Sequence, residues 1–458
     1  MTELLGTIDG FVWGLPTIIL LVGTGVFISL LMKFIQFRHF IYGWKLISGK
    51  YDDPNDEGEV THFQALSTAL SATIGTGNIA GVGTAIAIGG PGAVFWMWIT
   101  AIFGMGLKYA ECLLALKYRV IHEDGTTGGG PMYYLEKGLG KKWLGVAFAI
   151  FAAIAAFGIG NMVQANSVAE PSLDTFGIPK IVTGLVMAVL SFAVIVGGVK
   201  RIGSFSSKIV PAMALFYIIG ALLVIFTHLS AVPAAFAMIF HDAFSGTAAT
   251  GGFVGAGIAQ AIRFGVARGV FSNEAGLGSA PIAHGAAQTK EPVREGLVAM
   301  LGPFIDTLVI CTMTALVIIV TGAFTMTGAD GTGLTGAILT KAAFQAGMPF
   351  AGGEYIVTIG IIFFAFSTVI GWSYYGDRCV DYLFGQKAVM PYRIIYCMII
   401  PVGATIKLST VWTISDIFNA LMAWPNLIGL IFLSPVVVQM TKEYFADPKR
   451  VNPFEDES

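Results

Sequence analysis

Charge is what this chain has least of. Asp, Glu, Lys and Arg together make up 12% of its 458 residues, where an ordinary soluble domain carries about a quarter. That is too little polar surface to cover a globule of this size in water. Cysteine is nearly as scarce. The four present (Cys112, Cys311, Cys379 and Cys397) lie in or beside apolar segments. Their spacing excludes a disulfide framework or a zinc ribbon and fits small buried hydrophobes. No nucleophile–base pair or metal cluster is evident, so no enzyme chemistry is expected. A net charge of −2 singles out no partner, and no nucleic acid is expected.

What the chain has instead is apolar length. Hydrophobic residues make up 55%, and mean hydropathy is +0.76. The uncharged runs Gly10–Met32, Trp143–Ala169, Thr307–Ala329, Tyr355–Gly376 and Ile417–Thr441 each suffice to cross about 30 Å of hydrocarbon. Phe63–Leu107 is uncharged over 45 residues, room for two spans with a turn at Gly89-Gly90-Pro91-Gly92. The pattern predicts an all-α polytopic membrane protein of eleven transmembrane helices, near 10–35, 62–88, 92–118, 142–169, 178–198, 204–228, 253–287, 293–322, 353–381, 387–407 and 413–441. Val232–Phe244 and Thr335–Ala346 read as short helices at the surface. The first run follows acidic Glu3 and Asp9 rather than a basic region, so it reads as a span and not as a cleaved leader.

Basic residues orient the chain. The loops between alternate spans hold 20 of the 26 lysines and arginines, from Lys33 to Arg450. The other side holds Lys180, Lys341 and Lys407, while Lys108, Arg263 and Arg268 fall within spans. The expected topology is a multi-pass plasma-membrane protein with its N-terminus outside and its C-terminus in the cytoplasm.

One motif occurs twice. Asn78-Ile-Ala-Gly-Val-Gly-Thr-Ala85 returns as Asn273-Glu-Ala-Gly-Leu-Gly-Ser-Ala280, identical at five of the eight positions. The copies fall in spans two and seven, five helices apart, so they enter the membrane from opposite faces. That defines an inverted repeat: residues 60–230 form one five-helix half and 250–445 the other. Residues 1–50 hold an extra leading helix with an amphipathic loop, and 446–458 a cytoplasmic tail. Gly75 and Gly77, just before the first copy, lower helix propensity and predict an unwound backbone at mid-membrane. Unwinding is tolerated there only around a polar cavity. The half-helix starting near Asn78 would aim N–H groups and a positive dipole end at a carboxylate. The half-helix ending near Ser71–Ile74 would aim carbonyls at Na⁺ or an ammonium group. Close helix packing on small residues is the simpler use of glycine, and the duplication at matched places is what favours a site. A nucleotide loop is excluded, because the spacing is G-x-G-x-x-x-G outside any βαβ unit.

Charge inside spans is costly and marks function. Glu274 is expected to pair with Arg263 or Arg268 and pin the unwound segment; a proton site or an ammonium contact is the alternative. His284 is expected near the cytoplasmic end in contact with water, and Asp306 is open between roles. Ser367 and Thr368 are adjacent hydroxyls in span nine, either bonded back to the preceding turn or ligands for an alkali cation. Trp372, about one turn on, would wall the cavity.

The run Gly89-Gly-Pro-Gly-Ala-Val-Phe-Trp-Met-Trp98, continuing to Gly104, and the segment Ile74-Gly-Thr-Gly-Asn-Ile-Ala-Gly81 closely resemble signatures of the alanine/glycine:cation symporter family. The likeness covers essentially the whole chain. It implies the LeuT-like five-plus-five fold of the APC superfamily, here with one extra N-terminal helix. It also implies sodium-driven import of alanine or glycine from across the lipid bilayer by alternating access. A proton-coupled carrier or a passive channel is the alternative. A more distant resemblance, to neurotransmitter:sodium symporters, implies individual roles. Backbone N–H groups of Gly75, Thr76, Gly77 and Asn78 would take the substrate carboxylate. Thr73, Phe271, Ser272, Leu277, Trp372 and Gln164 would line the pocket. Carbonyls of Ser71, Ile74 and Phe364, with the Ser367 and Thr368 hydroxyls, would bind sodium. Glu274 departs from that pattern, where a small residue is usual.

Overall fold

The structure, a computed structural model, describes residues 2–245, 257–328, 331–406 and 409–453. Among them are the helices α1 (Leu4–Leu31), α2 (His62–Thr73), α3 (Ala80–Gly89), α4 (Gly92–Lys117), α5 (Lys142–Phe176), α6 (Lys180–Ile195) and α7 (Gly198–Thr227). They continue with α8 (Val232–Ser245), α9 (Ile258–Asn273), α10 (Ala280–His284), α11 (Pro292–Val320) and α12 (Gly336–Gly347). The last three are α13 (Gly353–Phe384), α14 (Gln386–Thr405) and α15 (Val411–Ala446). Among the described residues eight helices are long and apolar enough to cross a membrane, or nine with the bent pair α2–α3 counted as one. The remaining two expected spans differ. Helix α6 has 16 residues, about 24 Å at 1.5 Å per residue, and span seven is divided between α9 and the five-residue α10. The start of that span at 253–256, and Lys407, lie outside the described residues.

Polarity runs opposite to that of a soluble domain. Leu185, Val189, Leu190, Phe226, Met398 and Phe432 are exposed, while Asn78, Glu111, Glu274, Glu295 and Asp306 are buried. Hydrocarbon can neither hydrate nor hydrogen-bond a polar group, so such groups turn inward to find partners. The two short helices are both present, but α12 is not a surface element. Leu339, Ala343 and Phe344 are fully buried, and Gly83 of α3 lies so close that a Cβ there would stand 2.3 Å from the Gly336 carbonyl oxygen.

Span two breaks where its glycines fall. Helix α2 opens with a reciprocal cap: Gln64 N–H donates to Thr61 Oγ1 (3.2 Å) and Thr61 N–H to Gln64 Oε1 (3.1 Å). It stops at Thr73, and the chain resumes after a 61° bend. Side chains from within the break and from distant helices satisfy the freed backbone. Asn78 Oδ1 accepts from Gly75 N–H (2.8 Å), Thr314 Oγ1 donates to the Asn78 carbonyl (2.7 Å), and Thr340 Oγ1 to that of Ile79 (3.0 Å).

Span seven breaks inside the second motif copy itself. After Asn273 the chain turns at Glu274 (φ 55°), and Gly276 and Gly278 adopt φ +83° and +82°, which glycine alone enters without strain. Asn426 of α15 holds this loop, donating to the Gly276 carbonyl (2.9 Å) and to Glu111 Oε1 (2.7 Å). The same motif is therefore helical in its first copy and unwound in its second.

Candidate functional site

The two breaks meet. A Cβ on Gly77 would lie 3.1 Å from Ser272 Cα and 3.2 Å from a ring carbon of Phe271, so a side chain there would press the two segments apart by a few tenths of an ångström. Asp306 of α11 joins them. Its carboxylate accepts from Asn78 Nδ2 (2.6 Å), Ser272 Oγ (2.8 Å) and Thr307 Oγ1 (2.6 Å). One fully buried acid thereby ties both broken helices to a third.

Beside this junction lies a small cavity lined by Thr73, Gly75, Thr76, Gly77, Gln164, Phe271 and Trp372, seven of the ten expected substrate contacts. The other three lie elsewhere. The Asn78 N–H is bonded to the Gly75 carbonyl (3.3 Å), Ser272 turns its hydroxyl to Asp306, and Leu277 is fully buried within the second break. The cavity also reaches Ala72, Ile159, Glu274, Thr368 and Asn419. Of these, Asn419 went unremarked in the sequence, although an amide between Phe418 and Ala420 in an apolar span was a usable signal. The enclosed space gives the centre of a water-sized sphere about 10 Å³, room for one water.

Glu274 is not paired with arginine. Trp372 Nε1 donates to one carboxylate oxygen (2.8 Å) and Ser279 Oγ to the other (2.5 Å). Both arginines lie on α9, on the other side of Phe271, around a second cleft of about 180 Å³ with Asp9, Trp13 and Asp416. Arg268 stands 3.9 Å from Asp416 and 5.3 Å from the centre of the Phe271 ring. Phe271, stacked on Trp412, borders both cavities and separates them.

The five expected cation ligands do come together. Ser367 Oγ lies 3.2 Å from the Ser71 carbonyl oxygen, 3.5 Å from that of Ile74 and 2.8 Å from that of Phe364. Thr368 Oγ1 lies 3.5 Å from the Ile74 and 3.0 Å from the Phe364 carbonyl oxygens. The contacts with Phe364 are the helix-internal bonds such hydroxyls commonly make. The contacts across to α2 are long for O–H···O bonds, which centre near 2.7–2.8 Å. They suit oxygens around a small cation: at metal–oxygen distances of about 2.4 Å, neighbouring octahedral ligands stand roughly 3.4 Å apart. Thr368 belongs to both this cluster and the cavity.

The opposite end of the molecule is sealed. Glu59 N–H bonds to the Ala286 carbonyl (2.8 Å) and Gln288 N–H to that of Val60 (2.7 Å), lacing the entry to α2 against the exit from α10. Arg119 donates to the carbonyls of Glu57, Gly285, Ala287 and Thr289. Glu295 bridges His62 and His284. His284 is therefore buried rather than in contact with water, because Glu295 and His62 enclose it.

A profile of the sodium:alanine symporter family matches residues 1–456. The chain belongs to that family. A Methanococcus maripaludis member named sodium/alanine symporter AgcS is 53% identical over 446 residues, covering 96% of this chain and 97% of its own. A Bacillus subtilis relative named as a probable sodium/glutamine symporter, GlnT, is 37% identical over 450 residues, covering 98% of this chain and 92% of its own. The family and these relatives are transporters, not enzymes. Among solved structures, a manganese transporter of Eremococcus coleocola superposes with a TM-score of 0.51 over 86% of this chain and 92% of its own at 12% identity. At that identity the likeness speaks for the fold alone, a polytopic helical one.

Proposed function

We propose that the protein is a sodium-coupled symporter that imports small neutral amino acids, alanine and glycine, by alternating access. The observation that carries this reading is the shared residue. Thr368 is one of five clustered oxygens and also a wall of the cavity, so filling the ion site sets the wall the substrate meets. That is a coupling free energy between two sites with a physical connection. The N–H groups of Thr76 and Gly77, which make no hydrogen bond to other described residues, face the cavity at the start of the second half-helix. They suit a carboxylate there. The names of the relatives supply the ion and the substrate class. The bulk of Phe271 and Trp372 in the cavity wall favours a side chain as small as that of alanine or glycine over a glutamine-sized one.

In the same reading the eleven spans form two inverted five-helix halves behind one leading helix. The cleft with Asp9 and Arg263 faces outward, and the Arg119 seal faces the cytoplasm. Import would part Phe271 from Trp412 on one side, then unlace 57–62 from 284–289 on the other. Each Na⁺ crossing 100 mV contributes about 2.3 kcal/mol, roughly fifty-fold accumulation. Equilibrium binding of labelled alanine to the purified protein tests the coupling. Saturable binding in Na⁺ and none in K⁺ is expected. Equal binding in both salts would refute it, and binding that follows pH without Na⁺ would favour a proton carrier working through Glu274.

A further inference from the structure

Helices α1 and α15 lie side by side, joined where Trp424 Nε1 donates to Thr17 Oγ1 (2.9 Å). Toward their C-terminal ends a groove runs between them along the surface. Its inner stretch, about 540 Å³, is walled by Phe27 and Leu31 of α1 and by Pro435 and Val438 of α15. Its outer stretch, about 510 Å³, shares Leu31, Val438 and Lys442 and continues past Lys33 and Arg38. There His39 and Phe445 stack with ring centres 3.9 Å apart. Each stretch has the size of a ligand cleft. Charge is confined to the outer end. Lys33, Arg38 and Lys442 are exposed, and among the described residues none of their side chains has a hydrogen-bond or ion-pair partner. The carboxylate beside them, Glu443, accepts instead from Gln439 Nε2 (2.9 Å). An uncommon turn delivers Lys33 to this rim. Lys33 and Phe34 have φ 52° and 54°, which residues with a side chain rarely adopt. Phe34 N–H donates to the Ser29 carbonyl (2.7 Å) and Gln36 Nε2 to Ser29 Oγ (3.0 Å), and these bonds hold the turn.

An apolar groove that opens at one end onto three uncommitted cations has the polarity of a phospholipid with a negative headgroup. We propose that it binds one anionic phospholipid of the surrounding bilayer, with the phosphate among Lys33, Arg38 and Lys442 and an acyl chain along Phe27, Leu31, Pro435 and Val438. In the orientation proposed above, the rim meets the cytoplasmic leaflet, whose anionic lipids attract basic residues next to a span. A zwitterionic lipid fills the apolar stretch equally well but gains less at the rim, where its own cationic group offsets the attraction. A free phosphate meets the cations and leaves the groove empty. The site uses no group of the central cavity, so it stands apart from the transport reading. Because it bridges α1 and α15, the bound lipid stabilises the folded protein according to its occupancy.

Dioleoyl phosphatidylglycerol and dioleoyl phosphatidylcholine are titrated separately into the full chain in detergent. Native mass spectrometry counts the lipid retained, and the thermal midpoint is followed beside it. Phosphatidylglycerol should be retained at one molecule per chain, roughly 10-fold or more in preference to phosphatidylcholine, and should raise the midpoint. Each basic side chain near an anionic headgroup contributes about fivefold in affinity. Arg38→Gln should therefore weaken phosphatidylglycerol about fivefold, and Lys33→Gln with Lys442→Gln roughly 25-fold, with phosphatidylcholine unchanged. These side chains are exposed and unpaired, so the midpoint without lipid should not move. Leu31→Trp blocks the groove where its two stretches meet and should weaken both lipids, a test that does not depend on charge. Equal retention of the two lipids by the parent protein, or an unchanged preference in the charge variants, would overturn the site. So would inorganic phosphate at millimolar concentration raising the midpoint as much as phosphatidylglycerol does, because the rim would then take a free anion. A dimer that persists without lipid and that Leu31→Trp separates would place a second copy of the chain on the groove and overturn it as well.

Discussion

Gly75→Ala adds one methyl group against one atom of the ion cluster. The new Cβ would stand 2.5 Å from Thr368 Oγ1, 3.5 Å from Thr368 Cβ and 3.7 Å from Gln164 Oε1. The backbone at Gly75 is extended (φ −142°, ψ −151°) and open to any residue, so the cost lies in the contact and not in the torsion. The hydroxyl has to rotate away, and that withdraws it from the Ile74 and Phe364 carbonyls. The cluster then has four oxygens where it had five. An interaction between a hydroxyl and a charged group contributes about 1.5–3 kcal/mol, so Na⁺ affinity should fall roughly 10- to 150-fold. Thr368→Val deletes the same hydroxyl at constant shape and should cost about the same. Because both changes remove one interaction, the double variant should be little worse than either, with a coupling energy of at least about 1 kcal/mol. Titrating Na⁺ against alanine binding gives all four affinities. Thr368→Val within twofold of the parent, or two losses that simply add, would refute the assignment of this hydroxyl to the ion.

Three further outcomes follow from the same geometry. Asp306→Asn exchanges one acceptor oxygen for a donor facing Asn78, Ser272 and Thr307; thermal unfolding in detergent should show a loss of about 1–3 kcal/mol, and an unchanged midpoint would mean the breaks are held together by other contacts. Gly278→Ala places a side chain at φ +82°, 2.7 Å from Pro131 Cγ. It should cost at least about 1–2 kcal/mol from the backbone alone, with alanine binding lost before the fold is, whereas unaltered binding would contradict the need for that turn. Arg119→Ala removes donors from four carbonyls and should loosen the seal around Ala286. An Ala286→Cys reporter, almost fully buried in the parent background, should then react faster with a polar maleimide; an equal rate would contradict the clamp.

The first break could be read in the sequence because its cause is local: Gly75 and Gly77 weaken the helix wherever they are placed. The second could not be told apart from the first, since octapeptides identical at five of eight positions fold differently according to what surrounds them. Gly81 and Gly83 stay helical, and Gly83 packs against α12. Gly276 and Gly278 unwind where Asn426, on a helix far away in sequence and bonded in turn to Glu111, donates to the freed Gly276 carbonyl. Long-range pairing also explains Glu274 and His284. Proximity along the chain suggests Arg263 or Arg268 for the first and water for the second. The fold instead brings Trp372 and Ser279 to Glu274, and it closes Glu295 and His62 over His284. Ser367 and Thr368 were conspicuous as hydroxyls in an apolar span, but only the approach of α13 to the end of α2 makes them neighbours of the Ser71 and Ile74 carbonyls.

Alanine uptake into proteoliposomes is the most direct test of the central claim. An inward Na⁺ gradient is set against K⁺ alone and against an inward proton gradient. Accumulation above the outside concentration with Na⁺, and none with K⁺ or with protons alone, is the expected result. Uptake driven by protons without Na⁺, or equilibration without accumulation, would contradict the account.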